Sequence, residues 1–150
     1  MILLSFDTEE FDVPREHGVD FSLEEGMKVS IEGTNRILDI LKANNVCATF
    51  FCTGNFAELA PEVMERIKNE GHEVACHGVD HWQPKPEDVF RSKEIIERVT
   101  GVKAAGYRQP RMFPVSDEDI EKAGYLYNSS LNPAFIPGRY MHLTTPRTWF

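Results

Sequence analysis

The chain predicts an α/β fold assembled from parallel strand–helix–strand units. Short apolar runs alternate with longer stretches of helical periodicity, and the pattern repeats four times. Glycine and proline stops separate the runs. Asp7, Glu9, His77 and Arg108 all fall where predicted strands end, and parallel α/β folds gather their active sites at that carboxyl-end face. Open doubly wound sheets and (β/α) barrels are both built this way. With 150 residues, no internal repeat and no linker-like tract, residues 1–150 read as one domain with a single core.

The elements follow in order. Ile2 to Phe6 is a first strand. Residues 30–42 are helical, with Ile37, Ile40 and Leu41 on one face. Cys47 to Phe51, β-branched and aromatic, is a second strand closed by Gly54. Pro61 opens a helix at its favoured first position, with Val63, Met64 and Ile67 inward and Gly71 as its stop. Glu73 to Cys76 is a third strand. The next helix, residues 87–100, carries Val89, Ile96 and Val99 and stops at Gly101. Val102 to Tyr107 is a fourth strand. Ser116 and Asp119 form a capping-box-like start to a short helix ending at Gly124, and Tyr125 to Asn128 begins a fifth strand.

Composition narrows the function. A net charge of −8 argues against a general nucleic-acid binder, which needs a basic surface. No apolar run approaches the roughly 18 residues of a membrane helix. Opening directly on a strand, without a signal-like segment, makes the cytoplasm the expected compartment. Cys47, Cys52 and Cys76, odd in number and set in apolar segments, are expected to be buried reduced thiols.

The chemistry concentrates in Ala75-Cys76-His77-Gly78-Val79-Asp80-His81-Trp82. Two histidines four apart, on a turn, aim both imidazoles at one point and begin a divalent metal site, with zinc the usual occupant. The acidic strand end Ser5-Phe6-Asp7-Thr8-Glu9 supplies a carboxylate ligand and a base. Other groups have plainer readings. Glu10 and Asp12 read as loop charges, Asp80 as a solvated turn acid, and His17 as a solvated histidine in a long acidic loop. His72 begins a strand and should lie at the opposite end from the site. Cys76 alternates away from His77 into the core.

These segments resemble the metal-dependent polysaccharide deacetylases, carbohydrate esterase family four. Ser5-Phe6-Asp7-Thr8-Glu9 is similar to the family's first motif, in a variant with one residue between two acids. Ala48-Thr49-Phe50-Phe51-Cys52-Thr53-Gly54 resembles its second strand. The segment from Gly71 to His81 resembles its paired-histidine motif, and Gly106-Tyr107-Arg108-Gln109-Pro110 its arginine-proline motif. The match runs from Ile2 to about Leu131 and implies a distorted (β/α)7-type barrel.

The resemblance implies Asp7 as general base and Glu9, His77 and His81 as ligands of one divalent ion, zinc by preference. Adjacent acids, the commoner family pattern, would put Thr8 at the ligand position, but a threonine hydroxyl is a poor ligand beside a carboxylate. Arg108 would pair with Asp7 and orient it. Trp82, Pro110 and Arg111 are candidates for lining a sugar groove, with Trp82 packed on the barrel rim as the other reading. His142 is a weak candidate for the general acid. The implied activity is removal of N-acetyl groups from an amino sugar or glycan precursor. Alternatives are hydrolysis of a small cyclic amide such as allantoin, or a non-catalytic sugar- or metal-binding domain. Five strands cannot close a barrel, so an incomplete barrel is expected, with an exposed edge at the fifth strand.

Overall fold

The computed structural model describes residues 2–131, 135–137 and 140–141. Five strands form one sheet: β1 (Ser5–Thr8), β2 (Thr49–Cys52), β3 (Glu73–Cys76), β4 (Gly106–Tyr107) and β5 (Tyr127–Asn128). Each pairs in parallel with the next, in the order β1-β2-β3-β4-β5. A doubly wound sheet reverses its strand order at a switch point. This one adds each strand on the same side, as a (β/α) barrel does, and among the described residues it stays open between β1 and β5. A two-stranded antiparallel ribbon, β6 (Phe135–Ile136) with β7 (Tyr140–Met141), follows.

Helix α1 (Val13–Glu16) buries no residue and borders the cavity at the strand ends. Helices α2 (Leu23–Ala43), α3 (Gly54–Leu59), α4 (Pro61–Asn69), α5 (Asp88–Thr100) and α6 (Asp117–Lys122) cover one face. Strand alternation turns Phe50, Cys52, Val74 and Cys76 toward these helices. There they meet Leu38, Phe56, Met64, Ile67 and Ile96, all fully buried. Burying each such side chain stabilises the fold by about 1.5–3 kcal/mol. The other face turns Thr49, Phe51 and Glu73 toward the barrel interior, where Tyr127 Oη donates to Glu73 Oε1 at 2.9 Å. Gly106 is required beneath that tyrosine, because a Cβ there would fall 2.0 Å from the Tyr127 ring. No helix among the described residues is long and apolar enough to cross a membrane.

Several expectations need correction. β1 begins at Ser5, and Ile2 and Leu3 are left exposed. Helix α2 starts at Leu23, seven residues earlier than periodicity suggests. The capping box lies at Ser22, whose Oγ accepts the Glu25 N–H while the Ser22 N–H donates to Glu25 Oε2. Its buried face is Met27, Thr34, Leu38 and Leu41, so Ile40 points to solvent. Helix α3 was not expected; Thr53 starts it by accepting the Phe56 N–H. β4 is only Gly106–Tyr107, because a single residue pair joins it to β3. Ser116 precedes α6 without a side-chain cap bond. Cys47 is exposed just before β2, whereas Cys52 and Cys76 are buried.

Candidate active site

Asp7, Glu9, His77 and Arg108 meet at the carboxyl ends of β1, β3 and β4, and His81 joins them from the loop after β3. The two histidines do not share a helical turn. They sit on an irregular loop, bent at Gly78 with φ +68°. A side chain at Gly78 would be strained there, and its Cβ would lie 2.8 Å from Pro110 Cγ. The turn stacks the imidazoles with centroids 5.8 Å apart. Pro110 is buried against this turn.

Each imidazole has one nitrogen fixed and one presented. His77, 2% exposed, donates Nδ1–H to the Arg108 carbonyl at 2.8 Å. Its Nε2 lies 3.1 Å from Glu9 Oε2. His81 donates Nδ1–H to Asp12 Oδ2 at 2.8 Å and places Nε2 3.4 Å from the same Glu9 oxygen. Glu9 Oε2 is buried yet has no hydrogen-bond partner among the described residues. Ligand atoms from Glu9, His77 and His81 all lie within 4.8 Å of one another. Three lone pairs converging on one point, with both tautomers set by outer partners, suit a divalent cation. Thr8 cannot replace Glu9: it is buried and faces away from Asp7, beside Cys52.

Asp7 is held differently. Its Oδ1 accepts from Arg108 Nη1 at 2.5 Å, and its Oδ2 lies 3.9 Å from His77 Nε2. Arg108 is fixed by Ser5 Oγ at 3.0 Å, by Ser129 Oγ at 2.9 Å, and by the Phe51 ring beneath its guanidinium at 3.9 Å. That planar arrangement leaves Oδ2 as the oxygen facing the histidines.

Two loop acids carry more than their plain reading suggested. Asp12 is 5% exposed and binds both His81 and, at 3.4 Å, Arg111 Nη2. Glu10 is 7% exposed and accepts from Thr53 Oγ1 at 2.7 Å. Burial raises the Glu10 pKa, opposed by that hydrogen bond. Glu10 thus pins the segment that holds Glu9 and Asp12 to the start of α3. The available signal was an unusual density of acids between Glu9 and Asp12; their burial depends on partners 43 and 69 positions away.

The site opens into a cavity of about 590 Å³, lined by Asp7, Glu9, His77, His81, Arg111 and Phe113 among others. His17, within the segment expected to be an acidic loop, also borders it, between α1 and α2. Arg111 spans the rim, bonded to Glu16 Oε1 at 2.6 Å and to the His81 carbonyl at 3.2 Å. Trp82 lies under its guanidinium, 5.2 Å from the ring centroid. Asp80 accepts the Gln83 N–H in an exposed turn, and His142 lies outside the described residues.

The family model for polysaccharide deacetylase matches residues 2–125. The chain belongs to the polysaccharide deacetylase family. It is 34% identical over 108 residues to a peptidoglycan deacetylase of Helicobacter pylori, covering 66% of this chain and 37% of that protein. It is 40% identical over 102 residues to a peptidoglycan-N-acetylmuramic acid deacetylase of Bacillus subtilis, covering 61% and 39%. Among solved structures, the peptidoglycan deacetylase PdaC of Bacillus subtilis superposes with a TM-score of 0.60 at 26% identity, over 83% of this chain and 55% of that one. This deacetylase-family chain therefore spans less than half the length of these curated relatives, and its five parallel strands are part of the family's (β/α)7 barrel.

Proposed function

We propose that this chain carries the catalytic centre of a metal-dependent deacetylase that hydrolyses N-acetyl groups on a glycan of the peptidoglycan class. The observation that carries this reading is the buried, unpartnered Glu9 Oε2 between His77 Nε2 and His81 Nε2, with Asp7 alongside. Relatives named for deacetylating peptidoglycan sugars supply the substrate class.

Glu9, His77 and His81 would hold the ion, with zinc favoured by a donor set of two imidazoles and one carboxylate. When bound, it supplies Lewis acidity that polarises an acyl oxygen and lowers the pKa of water to about 7. The chain's own residues do the rest. Asp7 takes the proton of the water that adds to the acetyl carbon, through Oδ2, since Oδ1 is engaged by Arg108. Arg108 fixes the plane of that carboxylate, and its own carbonyl sets the His77 tautomer. Asp12 does the same for His81. Collapse then breaks the carbon–nitrogen bond as the proton held by Asp7 passes to the leaving nitrogen, releasing acetate and the sugar amine.

The test is acetate release from N-acetylglucosamine oligomers and, separately, ammonia-free ring opening of allantoin, with zinc-loaded and chelated protein. Zinc-dependent acetate release supports the reading, and activity confined to allantoin overturns it. Asp7→Asn should lower kcat about 10²–10⁴-fold with metal retained, whereas Glu9→Gln should weaken metal binding. The reverse pattern would exchange the two roles.

A further inference from the structure

We propose that the adjacent serines Ser129 and Ser130, just after β5, are positioning residues: Ser129 aims the Arg108 guanidinium at Asp7, and Ser130 fixes the peptide that holds His77. This role rests on the deacetylase reading above and adds two residues to that site. Both lie beyond residues 2–125, the span matched by the family model.

A guanidinium carries five N–H donors in one rigid plane and no acceptor, so the oxygens at its edges set its orientation. Ser129 Oγ accepts two of these donors, from Nη2 at 2.9 Å and from Nε at 3.3 Å. One oxygen shared by two N–H groups restrains the rotation of the plane more than a bond to either alone. Ser5 Oγ also accepts from Nη2, at 3.0 Å, which leaves Nη1 to Asp7 Oδ1. Both serine oxygens are neutral, so they orient the cation without dividing its charge. Among the described residues Arg108 forms an ion pair with Asp7 alone.

The serines are themselves held by the sheet. The Ser129 N–H donates to the Tyr107 carbonyl at 2.8 Å, extending the pairing of β4 and β5 past Asn128. Ser130, 8% exposed, accepts the Gln109 N–H on its Oγ at 2.8 Å. That N–H belongs to the same planar peptide unit as the Arg108 carbonyl, which receives the His77 Nδ1 proton. One serine thus bears on the base through a side chain, and its neighbour on a metal ligand through the backbone.

Three measurements on the zinc-loaded protein separate these roles: acetate release from N-acetylglucosamine oligomers, zinc affinity by chelator competition, and hydrogen exchange at Arg108 Nε–H by NMR. Ser129→Ala should lower kcat about tenfold, the size of one hydrogen bond to a charged group, with KM and zinc affinity kept. Its Nε–H should exchange faster. Ser129→Thr, which keeps a hydroxyl, should restore both. Ser130→Ala should instead weaken zinc affinity, by less than the about 10–100-fold expected for a direct partner of a ligand. Full kcat in Ser129→Ala, an equal loss in Ser129→Thr, or Nε–H exchange indifferent to Ser129 would overturn the role of Ser129. Zinc affinity lost in Ser129→Ala and kept in Ser130→Ala would overturn the division between them. No acetate from the unaltered protein, with Nε–H exchange still dependent on Ser129, removes the deacetylase reading and leaves the serine contacts standing.

Discussion

The two ends of β3 carry buried histidines with opposite fates. His72, just before the strand, is 8% exposed, and His77, just after it, is 2% exposed. Burial alone does not separate them. At the amino end, His72 Nδ1 accepts the Ala48 N–H at 3.2 Å, so the ring proton sits on Nε2, which is buried without a partner among the described residues. Its only presented nitrogen is thus a donor, and it packs on Phe50 with ring centroids 5.3 Å apart. At the carboxyl end, a backbone carbonyl takes the Nδ1 proton of His77 and leaves a lone pair on Nε2, facing Glu9. A ligand is defined by which nitrogen its neighbours consume and by the charge placed before the other one.

Removing the rings is the strongest way to break this comparison. His77→Ala should abolish stoichiometric zinc binding by equilibrium dialysis, because it deletes one of the three proposed ligands, while His72→Ala should retain it. Loss of metal in the His72 variant with retention in the His77 variant would reverse the assignment of the two ends.

A smaller change sharpens it by leaving the ring and altering only its outer partner. Asp12→Ala should weaken zinc affinity about 10–100-fold, since an unsupported His81 loses both tautomer and orientation. Asp12→Asn, which keeps an acceptor for Nδ1–H, should lose less. Competition with a chromophoric chelator measures both, and equal affinities for wild type and Asp12→Ala would reduce Asp12 to a rim contact of Arg111.

The smallest effect concerns His72 itself. Burial lowers its pKa, so the folded state favours the neutral ring. The unfolded chain, with a histidine pKa of about 6.5, then binds more protons below that value, and stability falls with pH from about 6.5 downward. Metal-free protein should therefore show a Tm that drops between neutral pH and mild acid, and His72→Asn should flatten that drop. An unchanged acid slope in the variant would place the pH dependence elsewhere.

Much of this was legible along the chain. Glu73–Cys76 is the strand expected, Val63, Met64 and Ile67 face the core as their spacing requires, and four candidate site residues stand at strand ends. These features follow from local rules: period two for strands, 3.6 for helices, and proline and glycine at helix ends. Where local signals competed, the reading slipped. Gly26 and the polar residues around it hid the first two turns of α2. Gly26 is tolerated there because its close contact is tertiary: a Cβ would fall 2.5 Å from the Phe11 carbonyl oxygen. Helix α3 is too short for periodicity to register and depends on Thr53.

The sequence by itself determined the parallel α/β class, the polarity of the site toward the carboxyl ends of the strands, and the histidine, aspartate and arginine types available there. Only the tertiary structure decided that Asp12 supports His81, and that Glu10 anchors to Thr53 the segment carrying Glu9 and Asp12. The physical reason is range. Strand and helix preferences act over a few residues, whereas each of these choices is made by hydrogen bonds and burial between segments dozens of positions apart, which exist only once the sheet has brought its strand ends together.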